Sequence, residues 1–109
     1  MKKIEAYIRP ERFEFVKKAL EEKECYGMTV LDVKGRGNQK GITIQYRGGS
    51  IDIDLIPKCK IEIIVKNADE EMVVEAILSG AYTGKIGDGK IFVSNIDRSI
   101  RVRTREEEK

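Results

Sequence analysis

Apolar and polar residues alternate near the start of the chain, Ile4, Ala6 and Ile8 against Lys3, Glu5 and Tyr7, which is the period of a strand with one buried face. Pro10 suits the first turn of a helix, and the spacing of Phe13, Val16 and Leu20 carries that helix to about Lys23. Gly27 breaks it, after which Met28, Val30 and Leu31-Asp32-Val33 predict a second strand ending at Gly35. From Arg36 to about Pro57 no sustained period is read. Cys59, Ile61, Ile63 and Val65 then alternate against Lys58, Lys60 and Glu62 as a third strand. Asp69 suits the N-cap of a helix that buries Met72, Val73, Ala76 and Ile77, and Lys90 to Asn95 reads as a fourth strand.

The two halves repeat each other. Lys3-Ile4-Glu5 recurs as Lys60-Ile61-Glu62, and the same offset of 57 aligns Val16 with Val73, Ala19 with Ala76 and Leu20 with Ile77. A doubled strand-helix-strand unit predicts an α+β chain with a ferredoxin-like antiparallel sheet and both helices on one face. Tyr7, Ile64 and Phe92 have the wrong parity for the helix-covered side, so the opposite face needs a cover, and self-association would supply it.

Composition narrows the chemistry. The chain has 109 residues and a mass of 12.4 kDa, enough for a single domain over 1–109 with one core. It contains no histidine, which excludes a Ser-His triad, a histidine-ligated zinc and a histidine proton shuttle. No activated nucleophile or base is otherwise evident, so the chain is not expected to be an enzyme. Cys25 and Cys59 lack CxxC spacing and read as reduced, buried thiols. No apolar run approaches the ~18 residues of a membrane span and no targeting segment is evident, which predicts a cytoplasmic protein.

The net charge of +2 is unevenly spread. Residues 34–60 carry six cations against two carboxylates, and residues 85–105 the same, so the remainder of the chain is acidic. Two basic segments on an acidic body suit a phosphate-bearing small ligand or a nucleic acid. A ferredoxin-like nucleic-acid-binding module would interleave aromatics on its strands for base stacking, and only Phe92 is so placed.

Two segments stand out. Residues 36–57 form a connection too long for a compact domain unless it is functional, and Gly37, Gly41, Gly48 and Gly49 make it flexible. Thr83-Gly84-Lys85-Ile86-Gly87-Asp88-Gly89-Lys90 matches the GxxxxGK part of a P-loop, but Ile91 replaces the magnesium-binding Ser/Thr, and a helix precedes the glycines where a strand should. A Walker NTPase is rejected. What remains is a glycine-rich 83–90 loop whose backbone N–H groups and Lys90 suit an anion, with Arg101 and Arg103, two apart on extended chain in the basic 101–109 segment, extending the site from one side.

Together these residues resemble the PII-type nitrogen regulatory signal proteins. The resemblance is carried by Gly27-Met28-Thr29, Val33-Lys34-Gly35-Arg36-Gly37, Gln39-Lys40-Gly41, Tyr46-Arg47-Gly48, Leu55-Ile56-Pro57-Lys58, Lys60-Ile61-Glu62, the run from Thr83 to Phe92 and Arg101-Val102-Arg103-Thr104. It spans essentially the whole chain, and the Thr83 to Phe92 run is its most specific part.

The resemblance implies a homotrimer with ATP or ADP in clefts between subunits. Gly87, Asp88, Gly89 and Lys90 would wrap the phosphates, and Arg101 and Arg103 would reach them from the adjacent subunit. Gly27, Met28, Thr29, Glu62 and Ile64 would surround the adenosine, with Gly35, Arg36 and Gly37 completing the nucleotide set. With ATP bound, Gln39 would ligate Mg2+ that also chelates 2-oxoglutarate, Lys40 and Gly41 would adjoin that effector, and Lys58 would pair with its distal carboxylate. The 36–57 loop would bind the target through Tyr46, Arg47 and Gly48, with Arg47 entering the pore mouth of an ammonium transporter, the only membrane contact implied. The alternative is a regulator of glutamine synthetase or nitrogenase that reads adenylate charge without 2-oxoglutarate. The tyrosine that enteric relatives uridylylate falls at Ile51, the serine that cyanobacterial relatives phosphorylate falls at Gly49, and Asn38 stands where many relatives carry an arginine.

Overall fold

The structure, a computed structural model, describes residues 1–36, 42–53 and 55–108, with the backbone alone at 42–46 and 50–53. Its main sheet is built from β1 (Lys2–Ile8), β2 (Thr29–Gly35), β5 (Ile56–Val65) and β6 (Gly89–Asn95) in the order β2-β5-β1-β6, with every neighbouring pair antiparallel. Helices α1 (Phe13–Glu22) and α2 (Glu70–Ala81) follow β1 and β5. This is the ferredoxin-like arrangement that the doubled unit predicts.

The repeat holds to the residue. Each helix is entered through one turn of 3-10 helix, Pro10–Arg12 before α1 and Asn67–Asp69 before α2, and the helices begin at Phe13 and Glu70, again 57 apart. Asp69 occupies the N-cap of α2, but its side chain makes no capping bond. The core is one cluster on one sheet face: Ile4, Ala6, Ile8, Cys59, Ile61 and Ile63 meet Val16 and Leu20 of α1 and Val73, Ala76 and Ile77 of α2. Each fully buried aliphatic side chain contributes roughly 1.5–3 kcal/mol. Where the helices cross, Gly80 lies against the Val16 backbone so closely that a Cβ would sit 2.6 Å from Val16 Cα.

Several expectations are corrected. Met72 is 37% exposed, because it lies one position off the Val73, Ala76, Ile77 stripe. α1 ends at Glu22 with Lys23 as its C-cap, as expected, but the chain turns at Glu24, in the left-handed conformation at φ 59°, before it reaches Gly27. The third strand begins at Ile56 rather than Cys59.

The 36–57 segment is not structureless. Ile42–Tyr46 (β3) and Gly49–Ile53 (β4) form an antiparallel hairpin closed at Arg47-Gly48, with Ile42 opposite Ile53 and Ile44 opposite Ile51. Short alternating runs on both sides of a glycine-containing turn explain it. A second small hairpin pairs β7 (Ser99–Ile100) with β8 (Glu107–Glu108).

The sheet face away from the helices is open. Ile64 is 49% and Phe92 53% exposed, and Tyr7 meets Phe92 edge-to-face with ring centroids 6.0 Å apart. Lys3, Glu5, Lys60 and Glu62 share this face in a lattice of ion pairs, the shortest joining Lys60 and Glu62 at 2.9 Å. That hydrogen bond from Lys60 is the main reason the Glu62 carboxyl titrates below its ordinary range. Cys25 and Cys59 are both free thiols, pushed up in pKa first by desolvation; Cys59 is buried as expected, whereas Cys25 is only half-buried at the chain after α1. Among the described residues no helix is long and apolar enough to cross a membrane.

Candidate functional site

The loop between α2 and β6 is organised by Asp88. Its carboxylate accepts the Thr83 amide at 2.8 Å, the Gly84 amide at 2.9 Å and the Thr83 hydroxyl, which folds residues 83–88 back on themselves. These bonds, the Thr83 hydroxyl first, hold the Asp88 carboxyl far below the usual carboxylate range. Gly84, Gly87 and Gly89 all have positive φ. The need is strictest at Gly89, where a Cβ would lie 1.6 Å from the Tyr7 carbonyl oxygen.

Two cations hold the loop from one side. Arg9, just beyond β1, donates through Nε to Asp88 Oδ1 at 3.1 Å and through Nη2 to the Ile86 carbonyl at 2.6 Å. Lys58 donates to the Gly87 carbonyl. Lys90 follows Gly89 at the start of β6 with its side chain exposed. A cleft of about 400 Å³ adjoins the loop, lined by apolar side chains of α2 such as Ile77 and Ala81 together with Asp88, Gly89, Lys90 and Ile91.

The predicted residues gather in two groups. Gly35 ends β2 and Arg36 follows it, Lys58 lies near the start of β5, and Gly87 to Lys90 lead into β6, all at one end of the sheet. Thr29 and Glu62 are direct cross-strand neighbours, with Met28 and Gly27 just before Thr29 and Ile64 two residues beyond Glu62. These form a second group toward the other end of β2 and β5. β2 and β6 are opposite edges of the sheet, about 14 Å apart at three strand spacings. One chain therefore does not bring the phosphate loop and the Thr29 group into a single pocket.

The expected extended run at Arg101 and Arg103 is corrected. Residues 102–104 turn, the Arg105 amide bonds the Arg101 carbonyl at 2.8 Å and the Arg101 amide bonds the Glu106 carbonyl at 2.9 Å, so the two side chains do not share one side of a strand. Arg101 pairs instead with Glu108 at 2.7 Å, beside Arg98 with Glu107 at 2.6 Å, and Arg103 is exposed. Gly37, Gln39, Lys40 and Gly41 lie outside the described residues, as does the side chain of Tyr46; Arg47 and Gly48 are exposed at the hairpin turn.

The reversed context of the glycine-rich loop, α2 before and β6 after, agrees with rejecting a Walker site. The family profile described as Nitrogen regulatory protein P-II matches residues 1–106. The chain belongs to the P-II family. It is 58% identical over 106 residues to a protein of Methanothermobacter thermautotrophicus named Nitrogen regulatory protein P-II 2, covering 97% of this chain and 92% of that one. It is 51% identical over 106 residues to Nitrogen regulatory protein P-II of Rhizobium meliloti and 52% to that of Pyropia yezoensis, in each case covering 97% of this chain and 95% of the relative. P-II proteins are nitrogen regulators that act on target proteins.

Arg9 carries no motif in the sequence of the P-II chain, yet it belongs to this site. Arg9 stands on the open-face parity of β1 beside Pro10, and the signal that marks it is its repeat partner, Lys66, which likewise precedes a 3-10 turn. The repeat places a cation at both strand exits; only contact with the 83–90 loop distinguishes Arg9.

Proposed function

We propose that this P-II protein is a cytoplasmic sensor that binds ATP or ADP in clefts between the subunits of a homotrimer. The observation that carries the reading is the 83–90 loop, whose Ile86 and Gly87 carbonyls are turned toward Arg9 and Lys58 while Lys90 stands free of them at the start of β6. A phosphate chain is the anion that such a loop suits. The wide separation of the Thr29 group from that loop supports a nucleotide shared between two copies, and Arg101 and Arg103 of the neighbour complete the phosphate contacts.

With ATP bound, Mg2+ held by Gln39 would join the nucleotide to 2-oxoglutarate. Lys58 lies against Gly87 and so close to any phosphate there, a suitable place for a cation that answers the effector's distal carboxylate. The output is target binding by the β3–β4 hairpin through Tyr46, Arg47 and Gly48, with an ammonium transporter as the target; glutamine synthetase and nitrogenase are the alternatives. Nucleic acid is not a partner.

Calorimetric titration of magnesium-ATP, then of 2-oxoglutarate into the ATP-loaded protein, with ADP as competitor, tests this. ATP binding followed by 2-oxoglutarate binding is expected, on a particle of about 37 kDa, three times 12.4 kDa. ATP binding without 2-oxoglutarate would leave an adenylate-charge regulator, and no nucleotide binding would overturn the reading.

A further inference from the structure

The backbone of the 83–90 loop is aimed by residues outside it. All described peptide bonds are trans, so each N–H points opposite to its own peptide's carbonyl. The Ile86 carbonyl faces Arg9 Nη2, so the Gly87 N–H faces away; the Gly87 carbonyl faces Lys58, so the Asp88 N–H faces away from that cation. Arg9 and Lys58 flank Gly87 together, since a Cβ there would lie 3.3 Å from Arg9 Nη2 and 3.8 Å from Lys58 Nζ. Two consecutive amides thus turn away from the cation-lined side, and among the described residues neither donates to a protein acceptor. Consecutive N–H groups on one side of the chain form an anion-binding concavity.

We infer that Arg9 is a positioning residue for nucleotide binding: by bridging the Asp88 carboxylate and the Ile86 carbonyl, its guanidinium turns the Gly87 and Asp88 amides toward the phosphates without touching them. This rests on the nucleotide reading above. A guanidinium suits the task because its planar fork reaches two acceptors at once, which a lysine ammonium on a flexible stem does less well. The bridge is well sheltered, with the Arg9 and Asp88 side chains only 24% and 23% exposed. Lys58 has a single contact in the loop, whereas Arg9 ties the carboxylate that already gathers Thr83 and Gly84 to the peptide that presents Gly87. Without Arg9 the Asp88 turn is no longer tied to the Ile86 peptide, and the loop loses the direction of its amides.

The test is calorimetric binding of magnesium-ATP and ADP to the full chain, unaltered and carrying Arg9→Ala, Arg9→Lys, Asp88→Asn, and Arg9→Ala with Asp88→Asn, beside Lys90→Ala. Arg9→Ala is expected to weaken both nucleotides about tenfold and Arg9→Lys about threefold. Asp88→Asn is expected to weaken them about tenfold, and the double variant no further, because both changes release the same loop. An amide spectrum of the free protein is expected to show the Gly87 resonance shifted in Arg9→Ala, a readout that general destabilisation does not produce. Arg9→Ala binding ATP like the unaltered chain while Lys90→Ala does not would overturn the inference alone. Losses that multiply to about a hundredfold would also overturn it, since Arg9 would then contact the ligand independently of Asp88. Should Arg9→Ala fail to fold, Arg9→Lys combined with Asp88→Asn gives the same comparison. An unaltered chain that binds no nucleotide would overturn the nucleotide reading, and this inference with it.

Discussion

The ammonium group of Lys58 donates to the carbonyl of Gly87, joining the start of β5 to the loop ahead of β6. The residue proposed for the effector carboxylate therefore already touches the proposed phosphate loop. Lys58→Ala is expected to abolish 2-oxoglutarate binding to the ATP-loaded protein and to weaken ATP itself about threefold, the scale of one partly exposed contact. Calorimetry on the variant checks both. Retained 2-oxoglutarate heat would remove Lys58 from the effector site.

Lys90 adds a cation to a loop whose amides already suit phosphate. Lys90→Ala should weaken ATP and ADP alike, by about tenfold, since a charged hydrogen bond is lost in each case. Equal affinities in the variant and the unaltered chain would sink the assignment of this loop.

The helix crossing has no room at Gly80. A Cβ there would meet Val16 Cα at 2.6 Å, Val16 N at 2.7 Å and the Phe15 carbonyl carbon at 2.9 Å, all backbone that cannot swing aside. Gly80→Ala is expected to cost about 1–3 kcal/mol by forcing the helices apart, despite alanine's better helix propensity. Chemical denaturation reads this directly, and a variant as stable as the parent would contradict the crossing.

Asp88 gives stability a pH dependence of known sign. Its carboxyl titrates lower in the folded chain than in the unfolded one, so the unfolded state binds the proton more readily. The contribution is complete above the ordinary aspartate pKa of about 3.9 and is lost as the pH falls from there through the depressed folded value. The gap in Tm between the parent and Asp88→Asn should therefore be widest near neutral pH and shrink steadily in acid. A gap that stays constant down to strongly acidic pH would show that the carboxylate charge plays no part.

Arg47 stands exposed at the turn of the β3–β4 hairpin. Arg47→Ala is expected to leave ATP and 2-oxoglutarate affinities within about twofold and to lose the transporter, which co-purification from membranes containing the ammonium transporter measures. Undiminished co-purification would move the target contact elsewhere.

The fold was readable in the sequence because its two halves report the same pattern independently: Val16 and Leu20 in α1 and Val73 and Ile77 in α2 occupy equivalent buried positions. Met72 misleads because a single apolar residue beside a buried stripe looks like part of it. The β3–β4 hairpin is hard to read from sequence because its alternating runs are only five residues each and sit among glycines. Of the candidate site, the glycines and Lys90 were visible as a motif. Arg9 was not, since its partners Ile86 and Asp88 lie more than seventy residues away, at |i−j| of 77 and 79, and no local spacing encodes such a contact.

The position of β1 between β5 and β6 bears on how the protein is made. The strand that leaves the ribosome before its partners is the one that must be clasped on both sides, and its second partner ends at Asn95. Until that segment emerges, Ile4, Ala6 and Ile8 have no completed sheet to enter, so the nascent chain carries an apolar strand unclosed through most of its synthesis and depends on late, long-range closure for its native topology.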